Sequence, residues 1–130
     1  MTEDDLPTPA DIIAIHDEIQ DEYDLKYTGA AVAAPRLRFR EIVADAAEHD
    51  DCWFRAAFLL RKVLTAHLFE DGNKRTAWVT MREYLARNNA EPAERGEDAE
   101  RVLRRIRRYD VDELAVWLQT GDLDRDRLEP

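Results

Sequence analysis

Cysteine, glycine and lysine are scarce in this 130-residue chain, and long apolar runs are missing. Cys52 is the only cysteine, so the chain cannot form an internal disulfide and offers no cysteine-based metal site. An apolar run of about 18 residues, which a membrane-spanning helix needs, does not occur. Residues 1–5 are acidic and lack the apolar segment of a secretory signal. We therefore expect one folded domain over residues 1–130, located in the cytoplasm, with no membrane partner.

Positive charge is also in short supply. The chain has 29 acidic residues against 19 lysines and arginines, which gives a formal net charge of −10. This excess of negative charge argues against direct binding to nucleic acid. An acidic, lysine-poor surface is also typical of halophilic proteins, because the Debye length falls to about 3 Å in molar salt and charge repulsion weakens. We expect a halophilic protein, with an acidic protein adapted to ordinary salt as the alternative.

The first third of the chain predicts one clear helix and one ambiguous segment. Thr8 as cap and Pro9 at the first helical position begin a helix over residues 8–24. Residues 25–34 are predicted to form a loop. Arginines alternate with apolar residues at the start of residues 36–48, which is typical of a strand, whereas the later spacing favours a short helix.

Helical periodicity continues through the rest of the chain. Residues 52–66 are the most apolar stretch and predict a buried helix at the centre of the fold. His16 falls on the apolar face of the first helix and is predicted to be a buried core histidine. Asp110 and Glu113 have the spacing of a capping box, with Gly121 ending the helix that they begin. Three helices are predicted after the central one, over residues 74–88, 96–108 and 111–119.

The segment after the central helix carries the residue types of a phosphate-transfer site. His67 belongs to the residue type that most often acts as a general base, so it can accept a proton. Gly72 allows the backbone to curl so that successive N–H groups form an anion nest, and Arg75 adds a planar fork for phosphate oxygens. Asp71 is a hard oxygen ligand of the kind that Mg²⁺ prefers. A capped turn would use the same residues, and the spacing alone leaves both interpretations open.

The nine residues from His67 to Arg75 match the motif His-x-Phe-x-Asp/Glu-Gly/Ala-Asn-Gly/Lys-Arg at all seven constrained positions. This motif is typical of the Fic/Doc family, and the chain resembles the Doc ("death on curing") type in particular. The resemblance is strong over residues 52–89 and weak at both ends. It implies an all-α fold, a single compact Fic/Doc-like helical bundle around a buried central helix.

The resemblance also implies an activity. Fic proteins mostly transfer AMP from ATP to a protein hydroxyl, and they have glycine at the position of Lys74. Doc-type proteins have lysine there and act as kinases that phosphorylate a translation elongation factor and halt protein synthesis. We therefore expect the toxin of a toxin–antitoxin pair, which transfers phosphate from ATP to such a target. AMP transfer and a catalytically silent binding module are the alternatives.

Residue roles follow from the same resemblance. His67 would activate the acceptor hydroxyl, and Asp71 would position Mg²⁺ or the acceptor. Leu68 replaces the proline that is usual in Fic enzymes, which favours the Doc type. Phe69 would anchor the loop to the core. Four residues would bind the phosphates of ATP: Gly72, Asn73, Lys74 and Arg75.

Partners are expected to be proteins. Many Fic proteins block their own site with a Ser/Thr-x-x-x-Glu-Gly/Asn segment, and this sequence contains none. Inhibition is therefore expected from a separate antitoxin. Residues 34–41 are the candidate for the flap with which Fic enzymes align their target by strand pairing. An arginine stripe over residues 101–108 is expected to pair with Glu97 and Glu100, with docking of an acidic antitoxin tail as the alternative.

Overall fold

The computed structural model describes residues 6–23, 35–93 and 98–129, and within these ranges the chain is helical and contains no strand. The predicted all-α bundle is confirmed. No described helix is both long and apolar enough to span a bilayer. The helices, in chain order, are α1 (Pro9–Tyr23), α2 (Pro35–Ala47), α3 (Cys52–Ala66), α4 (Asn73–Arg87), α5 (Ala99–Arg104) and α6 (Val111–Thr120), with 3₁₀ turns at Ile106–Arg108 and Arg125–Leu128.

Helix α3 is the centre of the bundle, as its apolar sequence predicts. It packs against α2, α4 and α6. Asp51 caps it by accepting a hydrogen bond from the Phe54 N–H at 3.2 Å. Leu59 and Leu60 are both fully buried, and replacing either by alanine would destabilise the fold by about 2–5 kcal/mol. The C-terminal end of this rigid helix is therefore a fixed point from which the next loop begins.

Helix α1 packs against α2 and α4, and so closes one side of the site. Its N-terminus is capped reciprocally. The Thr8 hydroxyl accepts from the Asp11 N–H at 3.1 Å, and the Asp11 carboxylate accepts from the Thr8 N–H at 2.9 Å. The buried face carries Ile12, Ile15 and His16, which confirms that the histidine lies in the core.

Residues 36–48 resolve in favour of the helix, and the strand interpretation is wrong. Phe39, Ile42 and Ala46 are spaced three or four residues apart and form the buried face of α2. Because residues 35–41 belong to this helix, they cannot pair as a flap strand, and the flap prediction for residues 34–41 is wrong as well.

The predicted helix over residues 96–108 is shorter than expected and interrupted. The α-helix covers Ala99–Arg104, and a 3₁₀ turn covers Ile106–Arg108. The break lets Ile106 and Tyr109 both turn into the core, where each is 1% exposed. Residues 96 and 97 lie outside the described residues, as does the loop predicted over residues 25–34.

Candidate active site

His67 ends α3 in a left-handed backbone conformation, with φ 51° and ψ 53°. Few residues other than glycine adopt this conformation, and those that do are concentrated at functional sites. The turn takes the chain sharply away from the axis of α3. It also leaves the imidazole exposed, where a second molecule can reach it.

Asn73, the first residue of α4, holds the loop closed with its side-chain amide. Its Oδ1 accepts from the Phe69 N–H at 3.2 Å, and its Nδ2 donates to the Phe69 carbonyl at 2.9 Å. These two bonds fix the orientation of the amide, so its second N–H faces His67 Nδ1 at 3.2 Å. Nδ1 is then the acceptor, and the neutral His67 ring carries its proton on Nε2. The Asn73 side chain is thus occupied within the loop, and only its backbone N–H can face a phosphate.

Phe69 anchors the loop from below. It is 5% exposed and stacks face to face on His16 of α1, with ring centroids 3.7 Å apart and planes 5° from parallel. Phe39 of α2 also packs against Phe69, with ring centroids 5.6 Å apart. His16 also donates from Nε2 to the Asp71 carbonyl at 2.8 Å. Helices α1 and α2 therefore hold the loop that joins α3 to α4.

The N-terminus of α4 lacks the features that normally stabilise such an end. Gly72 occupies the cap position with φ 81°, no side chain caps the helix, and the first turn contains no acidic residue. Unpaired N–H groups and the positive end of the helix dipole favour an anion there. A cavity of about 370 Å³ opens at this end and is lined by Asp71, Gly72, Asn73, Lys74, Arg75 and Glu100. We call this space the cradle.

Glu100 of α5 reaches the cradle and binds Lys74, which the sequence did not predict. The Lys74 Nζ lies 2.7 Å from the Glu100 carboxylate, and Arg104 approaches the same oxygen at 3.4 Å. The hydrogen bond from Lys74 holds the pKa of Glu100 below its usual value. The Arg104 pair follows from helical spacing, whereas no local signal joins residues that lie 26 positions apart.

A second space adjoins the cradle along α4. This groove, of about 330 Å³, shares Lys74, Arg75 and Glu100 with the cradle. Its further part lies between α1, α4 and α5 and is lined by apolar side chains that include Ile19, Trp78 and Leu103. The charged side chains of Glu22 and Arg82 line the groove as well, and a recess with both kinds of lining fits a ligand that has a flat apolar part and an anionic part.

Asp71 is placed to contribute to a metal site but not to form one alone. Among the described residues, no three histidine, cysteine, aspartate or glutamate side chains converge on one point. Mg²⁺ is commonly held by one or two carboxylates together with the phosphates of a nucleotide. The half-buried carboxylate of Asp71 at the cradle fits this shared mode of binding.

The fold and the loop define a class of protein: an all-helical domain that joins an exposed histidine to an uncapped, cation-flanked helix end. The model of the Fic/DOC family matches residues 6–85, which include the whole loop and most of α4. The chain therefore belongs to the Fic/DOC family. Members of this family are transferases that act on proteins, and they generally use ATP as substrate. No curated protein matches the chain.

Proposed function

We propose that this protein is a Doc-type kinase, which transfers the terminal phosphate of ATP to a hydroxyl of a protein target. The observation that carries the proposal is the order of the parts along α4. His67 contacts Asn73 at the start of the helix, the cradle surrounds the first turn, and the apolar groove lies beside Trp78. Asn73 and Trp78 are five residues apart, so the helical rise separates them by roughly 8 Å.

ATP has the same linear order as these parts. If adenine and ribose occupy the groove, the phosphate chain runs past Lys74 and Arg75, and the γ-phosphate lies nearest His67. Transfer of AMP needs the opposite arrangement, with the α-phosphate nearest His67 and the terminal phosphates in the groove. The apolar Ile19, Trp78 and Leu103 of the groove suit adenine, whereas its cations suit phosphate oxygens; these are Lys74, Arg75 and, further along α4, Arg82. The proposal of phosphate transfer over AMP transfer rests on this order together with Lys74, which stands where Doc-type proteins have lysine.

His67 is proposed to take the proton of the acceptor hydroxyl. The contact with Asn73 places the proton of the neutral ring on Nε2, so the bare nitrogen that can accept a proton is Nδ1. We therefore propose that the His67 ring turns out of contact with Asn73 when the acceptor binds, which presents Nδ1 to the hydroxyl. The left-handed turn leaves the ring on the surface, where it has room for this rotation.

The remaining roles concern the phosphates. Backbone N–H groups in the first turn of α4 would bind phosphate oxygens, which Gly72 lets approach closely because it has no side chain, while Arg75 offsets the charge that develops during transfer. Asp71 would hold Mg²⁺, which neutralises and orients the phosphates when it is bound. Lys74 would bind phosphate as a mobile point charge once Glu100 releases it.

Intact-mass analysis of a candidate target tests the proposal. After incubation with the purified protein, ATP and Mg²⁺, we expect the target to gain about 80 Da for one phosphate and not about 329 Da for AMP. The same target incubated with the His67→Ala variant is the matched control. The assay should include molar as well as dilute KCl, because the net charge of −10 fits either a halophilic protein or an acidic protein adapted to ordinary salt. An AMP adduct would reject the kinase proposal.

A cellular role as a toxin is the second part of the proposal. The target would be a translation elongation factor in the cytoplasm, and the inhibitor would be an antitoxin protein that orders as it docks. Neither partner requires direct contact with nucleic acid. Expression of the chain alone should arrest growth, and the arrest should disappear with His67→Ala. Harmless accumulation of a protein that is active in vitro would reject the toxin role.

A further inference from the structure

One residue outside the motif contacts the site loop from within the core. His16 of α1 is 1% exposed, and its Nε2 lies 2.8 Å from the carbonyl oxygen of Asp71, 55 positions along the chain. A carbonyl oxygen can only accept, so Nε2 carries a proton and donates it. A core histidine needs some hydrogen-bond partner. This one binds the backbone of the loop that the proposed chemistry uses.

The bond fixes the orientation of a whole peptide plane. In a trans peptide the C=O and N–H groups point in opposite directions, and the described residues contain no cis peptide. The carbonyl of the plane that joins Asp71 and Gly72 is held by His16. Its N–H belongs to Gly72, faces away from α1 and donates to the Asp71 Oδ1 at 2.8 Å. His16 therefore orients the Asp71 carboxylate through the peptide plane that lies between them.

The hydrogen bond from His16 matters because Gly72 does not by itself restrict the orientation of this peptide plane. Gly72 has φ 81°, and glycine populates positive and negative φ about equally. The plane could therefore rotate without steric strain at Gly72. After such a rotation the Asp71 carbonyl oxygen would face the cradle, where it would repel a phosphate, and the N–H that binds the Asp71 carboxylate would be lost.

We propose that His16 is a positioning residue, which holds the Asp71–Gly72 peptide so that the cradle presents N–H groups and a correctly placed carboxylate. The phosphate-binding role of the cradle rests on the proposed function, whereas the control of the peptide plane by His16 is independent of it. Stacking on Phe69 keeps the His16 ring in place, so the ring cannot move with the Asp71 carbonyl if the peptide plane turns.

Two substitutions separate the donor from the ring. His16→Phe keeps an aromatic ring against Phe69 and removes the donor. His16→Gln removes the ring and places an amide N–H near the position of Nε2. Ile12→Ala, in the same helix and fully buried, is the matched control for loss of stability without a polar contact to the loop.

Three measurements on each variant decide the proposal: the unfolding midpoint, the dissociation constant for Mg-ATP by calorimetry, and the backbone amide resonance of Gly72. The chain has only four glycines, so this resonance is readily assigned. We expect His16→Phe to shift the Gly72 resonance and to weaken Mg-ATP binding about tenfold, the effect of one lost hydrogen bond. His16→Gln should restore most of both. Ile12→Ala should lower the midpoint and change neither.

Specific outcomes would overturn the proposal. One is a His16→Phe protein with wild-type Mg-ATP affinity and an unmoved Gly72 resonance. Another is an Ile12→Ala protein with the same loss of affinity, which would make the effect one of general stability. If the wild-type protein itself fails to bind Mg-ATP, the proposed function fails, and the Gly72 resonance in the two His16 variants still decides whether His16 controls the peptide plane.

Discussion

Helices α4 and α6 begin in opposite ways. At α6, Asp110 accepts from the Glu113 N–H at 2.9 Å, Glu113 accepts from the Asp110 N–H at 3.1 Å, and the acids favour the helix dipole. At α4, a glycine without a capping side chain precedes Lys74 and Arg75, whose charges oppose the dipole. The first end is stabilised by side chains of the chain itself. In the proposed function the phosphates of ATP would stabilise the second end, so the absence of a cap there would mark the binding site.

The largest effect is expected from removing the side chain of His67, which lies beside the N-terminus of α4. We expect His67→Ala to reduce transfer about 10²- to 10⁴-fold, as loss of an acid–base group does. The side chain is exposed but accepts a hydrogen bond from Asn73, so the free energy of unfolding should fall by about 1 kcal/mol and the fold should remain intact. Rates from intact-mass time courses, with His49→Ala as control, check the prediction. Near-native activity in His67→Ala would make the histidine structural.

Lys74 offers the next largest effect at the same helix end. Lys74→Gly removes the ammonium group and introduces the glycine that Fic enzymes have at this position. Phosphate transfer should therefore fall about 10- to 100-fold. Lys74→Gln separates loss of charge from gain of backbone freedom. The mass of the product distinguishes phosphate from AMP in all three proteins. Unchanged phosphate transfer in both variants would show that Lys74 does not bind the transferred group.

At α6 the same kind of change should affect stability and leave function intact. Asp110→Ala removes the cap and should destabilise the fold by about 1 kcal/mol, which lowers the unfolding midpoint by about 4 °C. The transfer rate at 25 °C should remain at the wild-type value, because α6 does not line the cradle. A large loss of activity at this temperature would contradict the division of roles between the two ends.

Acid should weaken the α6 end through Glu113. The hydrogen bond from Arg127, together with that from the Asp110 N–H, holds the pKa of Glu113 below its ordinary value of 4.5. A group with a lowered pKa in the folded state stabilises the fold above its ordinary pKa and loses that contribution as the pH falls. Thermal unfolding between pH 6 and pH 3 should show this loss. Glu113→Gln should show a smaller one.

The smallest effect is expected where α5 meets α4. Glu100→Gln removes the charge that engages Lys74, so Mg-ATP should bind about two- to fivefold more tightly, in keeping with an exposed ion pair. Glu83→Gln, on the exposed side of α4, removes the same charge without a contact to the cradle. Calorimetric titration of both variants measures the difference. Weaker binding in Glu100→Gln would mean that Glu100 orients Lys74 for the phosphate.

Sequence reasoning succeeded where the determinants are local. The apolar run of α3, the capping box of α6 and the glycine that ends α6 are each encoded within a few residues, and the structure confirms them. It failed where tertiary packing decides the outcome. In α2 the alternating arginines suggested a strand, although the buried residues have helical spacing. The helix expected over residues 96–108 is interrupted, and Ile106 and Tyr109 reach the core.

Within the site, sequence supplied the residue types and not their connections. The motif located His67 and Asp71, and nothing local indicated that His16 would bind the loop from α1 or that Glu100 would engage Lys74. Such contacts depend on how helices pack across the bundle.

The amide of Asn73 also sets the length of the loop. It receives the Phe69 N–H and donates to the Phe69 carbonyl, the two backbone bonds that a neighbouring strand would otherwise make. One side chain can reach both groups only because three residues separate it from Phe69. An extra residue in this interval would open the ring of hydrogen bonds and displace both Phe69 and the start of α4. An insertion between Phe69 and Asn73 is therefore expected to disrupt the loop whichever residue is inserted.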